Sequence, residues 1–413
     1  MGKKSSLFSL LTIMVLVISS CNTQKPLPKL PPASIARHPE PVDFSPYFPK
    51  RDSVPTYDPE TSDPFLYDFR SSDVTNLDFS KSLELLNNSS YDSKTKWPSP
   101  EKMPAGFSAE QIMELGKDPG LGIRSLHADG ITGRGIGIAI IDQTLLVDHQ
   151  EYVNQLQLFE DGAGIEGDWL TTSMHGPAVA SIAVGKTVGV APDADLYFIT
   201  MGDCNGAFAL GGQDFTCLAK DVLRVIEINK GLPEERKIRV ISMSIGWRNG
   251  NTGYNEITDA IEKAQAAGIF VISTSIYQTY GFNIHGMARP SMADPNDFSV
   301  YLPGIFWAND FYSGAQNLEN TLLIPMDART TASPNGLSDY VHYSRGGWSW
   351  IVPYLAGVYA LACQVNPEIT PDVFWAAAMK TGRTIQIEHD GKQYSFGVIL
   401  DPQSLLNEIK QTN

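Results

Sequence analysis

The chain has 413 residues and a formal charge of −15. That length allows two or three domains, or one large α/β domain with extensions. The acidity excludes a nucleic-acid partner, because phosphate binding needs a basic footprint. It otherwise speaks to solubility and not to fold.

Lys3 and Lys4 precede an apolar run, LFSLLTIMVLVISS, that is short for a membrane span and ends in small residues at Cys21. Residues 1–20 therefore read as an export signal. The ending Ile18-Ser19-Ser20-Cys21 resembles the lipobox of bacterial lipoproteins. By that resemblance Cys21 becomes the acylated (palmitate-type) first residue, and the protein is anchored in the cell envelope. Residues 21–64 hold 11 of the 27 prolines, few aliphatics and many charges. Such a composition builds no core and predicts an extended stalk. Residues 65–105 form an N-terminal extension in which Leu77, Phe79, Leu83, Leu85 and Leu86 supply a short element to pack on the main domain.

The main domain is assigned to 106–413. Ser108 caps a helix, SAEQIMELG, and IGIAII (136–141) is a continuous β-branched run of the kind found in buried parallel strands. Helix and strand signals then alternate: FTCLAKDVLRVIEINKG with IRVISMSIG, and ITDAIEKAQAAG with IFVISTS, Gly268 fitting the turn between the last two. Thr370-Pro371 opens a late helix. This alternation predicts an α/β fold: a doubly wound, mostly parallel sheet with helices on both faces.

Cys204 and Cys217 lie in a Gly-rich stretch. Export permits a disulfide between them, or they are two separate small apolar residues. Cys363 falls in an apolar helical run and reads as core. No CxxC or HExxH spacing suggests zinc, and no EF-hand-like loop suggests calcium, so neither cofactor nor metal is expected.

Three segments carry the chemistry. In GIGIAIIDQTLLVDH, Asp142 follows a strand directly, at the end where open α/β sheets place their sites. In SMHGPAVASIAVG, His175 starts a small-residue helix that would fix an imidazole on a packed scaffold. In GGWSWIVPYLAG, Ser349 heads an apolar helix whose free N–H groups favour developing negative charge. Pro353 requires that helix to begin close to Ser349. Each segment alone also has an ordinary structural reading; an Asp, a His and a Ser in this order are the members of a nucleophilic triad.

These segments resemble those of subtilisin-like serine peptidases, which carry D-T-G-I-D-x-x-H-P, H-G-T-H-V-A-G and G-T-S-M-A-x-P-x-V-A-G. GVAPDADLYFI (189–199) and Val240–Gly246 resemble two further family segments. The resemblance implies a polypeptide substrate and a catalytic Asp142, His175 and Ser349. It also implies that Ser244, Ile245 and Gly246 form an edge that pairs with extended substrate. One departure matters. Where the family places an oxyanion-hole Asn after a strand, this chain has Ile276. Loss of that donor costs about 10²–10³ in rate within this family. Thr274, Ser275 and Asn283 are the replacement candidates, beside the backbone N–H of Ser349. Trp348 and Trp350 replace the residues flanking the nucleophile; their rings either narrow the pocket beside Ser349 or pack as core, and core packing is the expectation. The implied activity is peptide-bond hydrolysis through an acyl-enzyme. The alternative is a membrane-anchored pseudopeptidase that only binds peptide.

Overall fold

The computed structural model describes residues 26–47, 51–59, 61, 63, 66–165, 171–204 and 214–411. The export signal (1–20) and Cys21 lie outside the described residues.

The strands, in chain order, are β1 (Ser34–Ile35), β2 (Tyr91–Asp92), β3 (Gly137–Asp142), β4 (Leu156–Asp161), β5 (Asp195–Thr200), β6 (Ile238–Met243) and β7 (Phe270–Ser273). They continue as β8 (Asn283–Ala288), β9 (Leu302–Pro303), β10 (Thr321–Pro325), β11 (Arg329–Ala332), β12 (Tyr340–Tyr343), β13 (Arg383–His389) and β14 (Lys392–Ile399). The helices are α1 (Leu83–Asn87), α2 (Ala109–Lys117), α3 (Ile123–Ala128), α4 (His175–Val184), α5 (Thr216–Lys230) and α6 (Tyr254–Ala266). After them come α7 (Ile276–Tyr280), α8 (Ala308–Tyr312), α9 (Trp348–Val365), α10 (Pro371–Thr381) and α11 (Pro402–Gln411).

The expected parallel sheet is present, in the order β1-β4-β5-β3-β6-β7 with every pairing parallel. Its β-branched runs are continuous because both faces are covered. Ile138 and Ile140 of β3, Leu196 and Phe198 of β5 and Phe270 and Ile272 of β7 face a core shared with α4 and α9. Ala139 and Ile141, Tyr197 and Ile199, and Val271 point the other way, into a core with α5 and α6. Period-two alternation thus divides one apolar run between two cores. A second sheet, β13-β14-β10-β8-β9, and a small one, β11-β12-β2, complete the domain. The anticipated caps are in place: Ser108 accepts from Gln111 N–H at 3.2 Å, Thr370 accepts from Val373 N–H at 3.4 Å, and Gly268 adopts φ +77° after α6.

The Pro-rich segment does not extend away as a stalk over its described length. Ser34–Ile35 adds to the edge of β4, Arg37 pairs with Asp161 at 2.7 Å, and Val42 N–H bonds to Pro334 O at 3.0 Å. A segment that builds no core of its own still docks on the edge of another, the one place in a sheet where neighbouring prolines are tolerated. In the extension, Leu77, Phe79, Leu85 and Leu86 are buried in a small aromatic-rich core with Phe69, Tyr91 and Ile112, whereas Leu83 is exposed.

Candidate active site

Asp142 ends β3, between β5 and β6, and is 5% exposed. Its Oδ1 accepts from Gln143 N–H at 2.8 Å and meets His175 Nδ1 at 2.5 Å. Two local features bring the imidazole there. Ser173 Oγ accepts from the N–H groups of both His175 and Gly176 at 3.1 Å, capping the orphan donors that begin α4. Gly176 lets the helix lie against the turn after β3, since a Cβ there would sit 2.2 Å from Gln143 O and 2.8 Å from Thr144 O. Burial opposes charge on His175, but attraction to Asp142 and the hydrogen bond between them outweigh it, so the imidazole pKa lies above its ordinary value.

Ser349 is the second residue of α9, half-buried, with Gly347 before the helix. Pro353 lies inside α9. It has no N–H to give the carbonyl four residues earlier, which is that of Ser349. Ser244 Oγ donates to that carbonyl at 2.9 Å instead. Ser244 thus joins the end of β6 to the start of the nucleophile helix. Helices α4 and α9 pack together, and the His175 ring rests on Trp350, one residue from Ser349, with centroids 5.4 Å apart.

The two tryptophans part company. Trp350 is buried between His175 and Tyr343, as expected of a core residue. Trp348 is 43% exposed, its ring against Phe306 and His285. This corrects the expectation that both pack as core: helical residues two apart point about 200° apart, so Trp350 faces the core and Trp348 faces outward.

Ser244, Ile245 and Gly246 run on from β6, half-buried, with Ile245 O accepting from Thr274 N–H at 3.2 Å. The oxyanion candidates are not equivalent. Ser275 Oγ donates its one hydrogen to Trp247 O and accepts from Trp247 N–H, both at 2.8 Å. That removes Ser275 as a donor. Asn283 opens β8, two residues and about 7 Å along the strand from His285, whose ring meets Trp348. Thr274 Oγ1 lies over Gly246, at 2.5 Å from where a Cβ would stand, and so borders the 244–246 edge. Ile276 is in the core.

Cys204 and Cys217 are disulfide-bonded, with Cα atoms 5.3 Å apart, and Cys363 is free and buried in α9. No cluster of His, Cys, Asp and Glu able to hold a metal occurs among the described residues. A cavity of about 1000 Å³, lined by Arg134, Ile238, Arg239 and Tyr359, opens at the opposite ends of the strands and contains none of these site residues. Sequence reasoning missed Ser173, His285 and Asp327. Ser173 lies within the His175 segment, two residues before the imidazole, and its capping role was readable there, whereas His285 and Asp327 belong to no motif and only the packing of distant segments brings them near Trp348 and Gly346.

Residues 133–278 match the subtilase family. That stretch includes Asp142, His175 and the 244–246 edge but not Ser349. The chain is 24% identical over 282 residues to an extracellular serine proteinase of Thermus sp. (strain Rt41A), covering 67% of this chain and 63% of that protein. It is 27% identical over 177 residues to the major intracellular serine protease of Bacillus subtilis (strain 168), covering 40% and 50% respectively. It is 23% identical over 304 residues to serine protease AprX of the same organism, covering 65% and 66%. The chain thus spans between half and two thirds of the length of these relatives. Among solved structures, the prenylagaramide maturation protease PagA aligns over 70% of this chain and 98% of its own, at 15% identity and a TM-score of 0.48. The PatG macrocyclase domain aligns over 70% and 94%, at 13% and 0.47. The Asp142–His175 pair, at the end of the central strand, lies within the stretch that matches the subtilase family.

Proposed function

We propose that the protein is a serine endopeptidase in which Ser349, His175 and Asp142 act together on polypeptide. The observation that carries this is the 2.5 Å contact between Asp142 Oδ1 and His175 Nδ1, with the imidazole ring on Trp350 beside Ser349. Ser349 Oγ attacks the scissile carbonyl carbon while the far nitrogen of His175 takes the hydroxyl proton. Asp142 keeps the other nitrogen protonated and stabilises the imidazolium. The imidazolium then gives its proton to the departing amine. Water, deprotonated by the same imidazole, cleaves the acyl-enzyme and regenerates Ser349. The oxyanion meets the backbone N–H of Ser349, free in the first turn of α9, and the hydroxyl of Thr274. Ser244, Ile245 and Gly246 pair with substrate backbone.

A second reading is favoured by one observation: the family's Asn position holds Ile276, and its side chain is in the core. On that reading the protein binds peptide without turning it over. Fluorophosphonate labelling decides between the two. An adduct on the peptide containing Ser349, absent in Ser349→Ala, supports the peptidase; a folded protein that takes no adduct supports the binding module.

We further infer that the protein is exported and lipid-anchored through Cys21. Pro26 and Leu27 lie beside Arg236 at the end of the sheet opposite Asp142, where Pro28 O accepts from Arg236. From Cys21 to Pro26 five residues span at most about 18 Å, so the anchor holds the domain close to the membrane with the Asp142 end of the sheet turned outward. Mass spectrometry of the mature amino terminus tests this: an acylated Cys21 is expected, and an unmodified amino terminus elsewhere refutes it.

A further inference from the structure

Three residues before Ser349, the N–H of Gly346 donates to Asp327 Oδ1 at 2.6 Å. The other carboxylate oxygen, Oδ2, accepts from Ile305 N–H at 2.9 Å. Asp327 is 2% exposed. A buried carboxylate is costly unless it is hydrogen-bonded, and two charge-assisted bonds to backbone donors offset that cost here. The donors come from segments 41 residues apart in sequence. One is the turn entering α9; the other carries Phe306, whose ring stands 5.7 Å from that of Trp348.

The carboxylate is aimed by its own backbone. Asp327 N–H bonds to Met287 O at 3.1 Å, and Ala328 follows at φ +54°, a conformation disfavoured for a residue with a side chain. The nucleophile turn lies flush against this corner. A Cβ on Gly346 would fall 2.3 Å from Met326 O and 2.8 Å from Trp350 Cδ1. Removing the Asp327 acceptors would leave the Gly346 and Ile305 N–H groups without these partners, at the two segments that flank Ser349.

We propose that Asp327 is a positioning residue that fixes the nucleophile turn at Gly346 against the 304–306 segment and so sets where Ser349 stands relative to His175. The role rests on Ser349 being the nucleophile. Burial also raises the Asp327 carboxyl to about 6, the two backbone N–H groups and Arg345 opposing the rise. Arg345 is the charged side chain that bears on it; Ile305, Phe306, Met287 and Met326 bring no charge.

The test uses the purified full-length chain in detergent, as wild type and as Asp327→Asn, a variant of the same size that keeps one acceptor and turns an N–H donor toward the other partner. Three quantities are read: hydrogen exchange of peptides covering 303–307 and 344–350, the second-order rate of fluorophosphonate labelling at pH 8, and the melting temperature. The expected result is exchange about tenfold faster in both peptides and labelling slowed about tenfold or more, from one lost charge-assisted bond. The rest of the exchange map should not change. If Asp327→Asn does not fold, wild type at pH 5, corrected for intrinsic exchange rates, must lose protection in the same two peptides. Unchanged exchange in both peptides, or unchanged labelling by a variant with altered exchange, overturns the proposal. If wild type shows the exchange effect but takes no label, the peptidase reading fails while the Asp327 clamp stands.

Discussion

Pro353 and Ser244 form a compensating pair, and a double-mutant cycle can measure it. In α9 the Ser349 carbonyl lacks its helical donor because residue 353 is proline, and the Ser244 hydroxyl stands in at 2.9 Å. Ser244→Ala leaves that carbonyl without either donor. A half-buried carbonyl that loses its partner costs about 1–2 kcal/mol. In a Pro353→Ala background the helix regains an N–H at position 353 aimed at the same oxygen, so Ser244→Ala should cost less than about 0.5 kcal/mol. The coupling energy is therefore on the order of 1 kcal/mol, within the range for residues that share a partner. The assay is urea unfolding of the four proteins at pH 8, with labelling of Ser349 as a second readout. Labelling should drop in Ser244→Ala and recover in the double variant. Equal costs of Ser244→Ala in both backgrounds would refute the reasoning and reduce the contact to incidental packing.

Asp142→Asn should lower the labelling rate by roughly 10⁴, the loss expected when the orienting carboxylate no longer fixes the imidazole tautomer, with the fold retained by circular dichroism. Because Asp142 holds the His175 pKa above its ordinary value, labelling should rise with pH through a midpoint above about 6.5. The stability contributed by the ion pair runs the other way, complete below about 6.5 and lost as pH climbs through the folded-state value. Rate and melting temperature followed from pH 5 to 9 test both trends, and coincident midpoints in wild type and Asp142→Asn would sink the assignment. Gly176→Ala should destabilise by about 1–3 kcal/mol and slow labelling further, because the new methyl would meet Gln143 O at 2.2 Å and push α4 off the turn after β3; denaturant midpoints read the first effect. Replacing Cys204 and Cys217 by Ser removes a cross-link between residues 13 apart and should cost about 2–3 kcal/mol, visible as a lower unfolding midpoint that reductant reproduces in wild type.

Much of this protein was legible in its residue order. The β-branched run ending at Asp142, the small-residue helix behind His175 and the glycines before Ser349 are local patterns. Local patterns suffice for strand, helix and turn, and here they placed the three candidate groups at element ends. Other features needed the tertiary structure, because they depend on which distant atoms meet. The Pro-rich segment cannot build a core, yet it finds the open edge of β4, and composition carries no information about a neighbour's free edge. Ser275 looked as able a donor as Thr274 until its single hydrogen proved committed to Trp247. Trp348 and Trp350 flank Ser349 and are chemically identical, and only the direction in which α9 packs puts one on His175 and leaves the other exposed. Asp327 sits in no motif at all: its place depends on two backbone N–H groups, remote in sequence, meeting at one buried carboxylate. Sequence periodicity determined the elements and their faces. Hydrogen-bond partners across the fold were decided by packing, because each depends on a few tenths of an ångström between segments that are far apart along the chain.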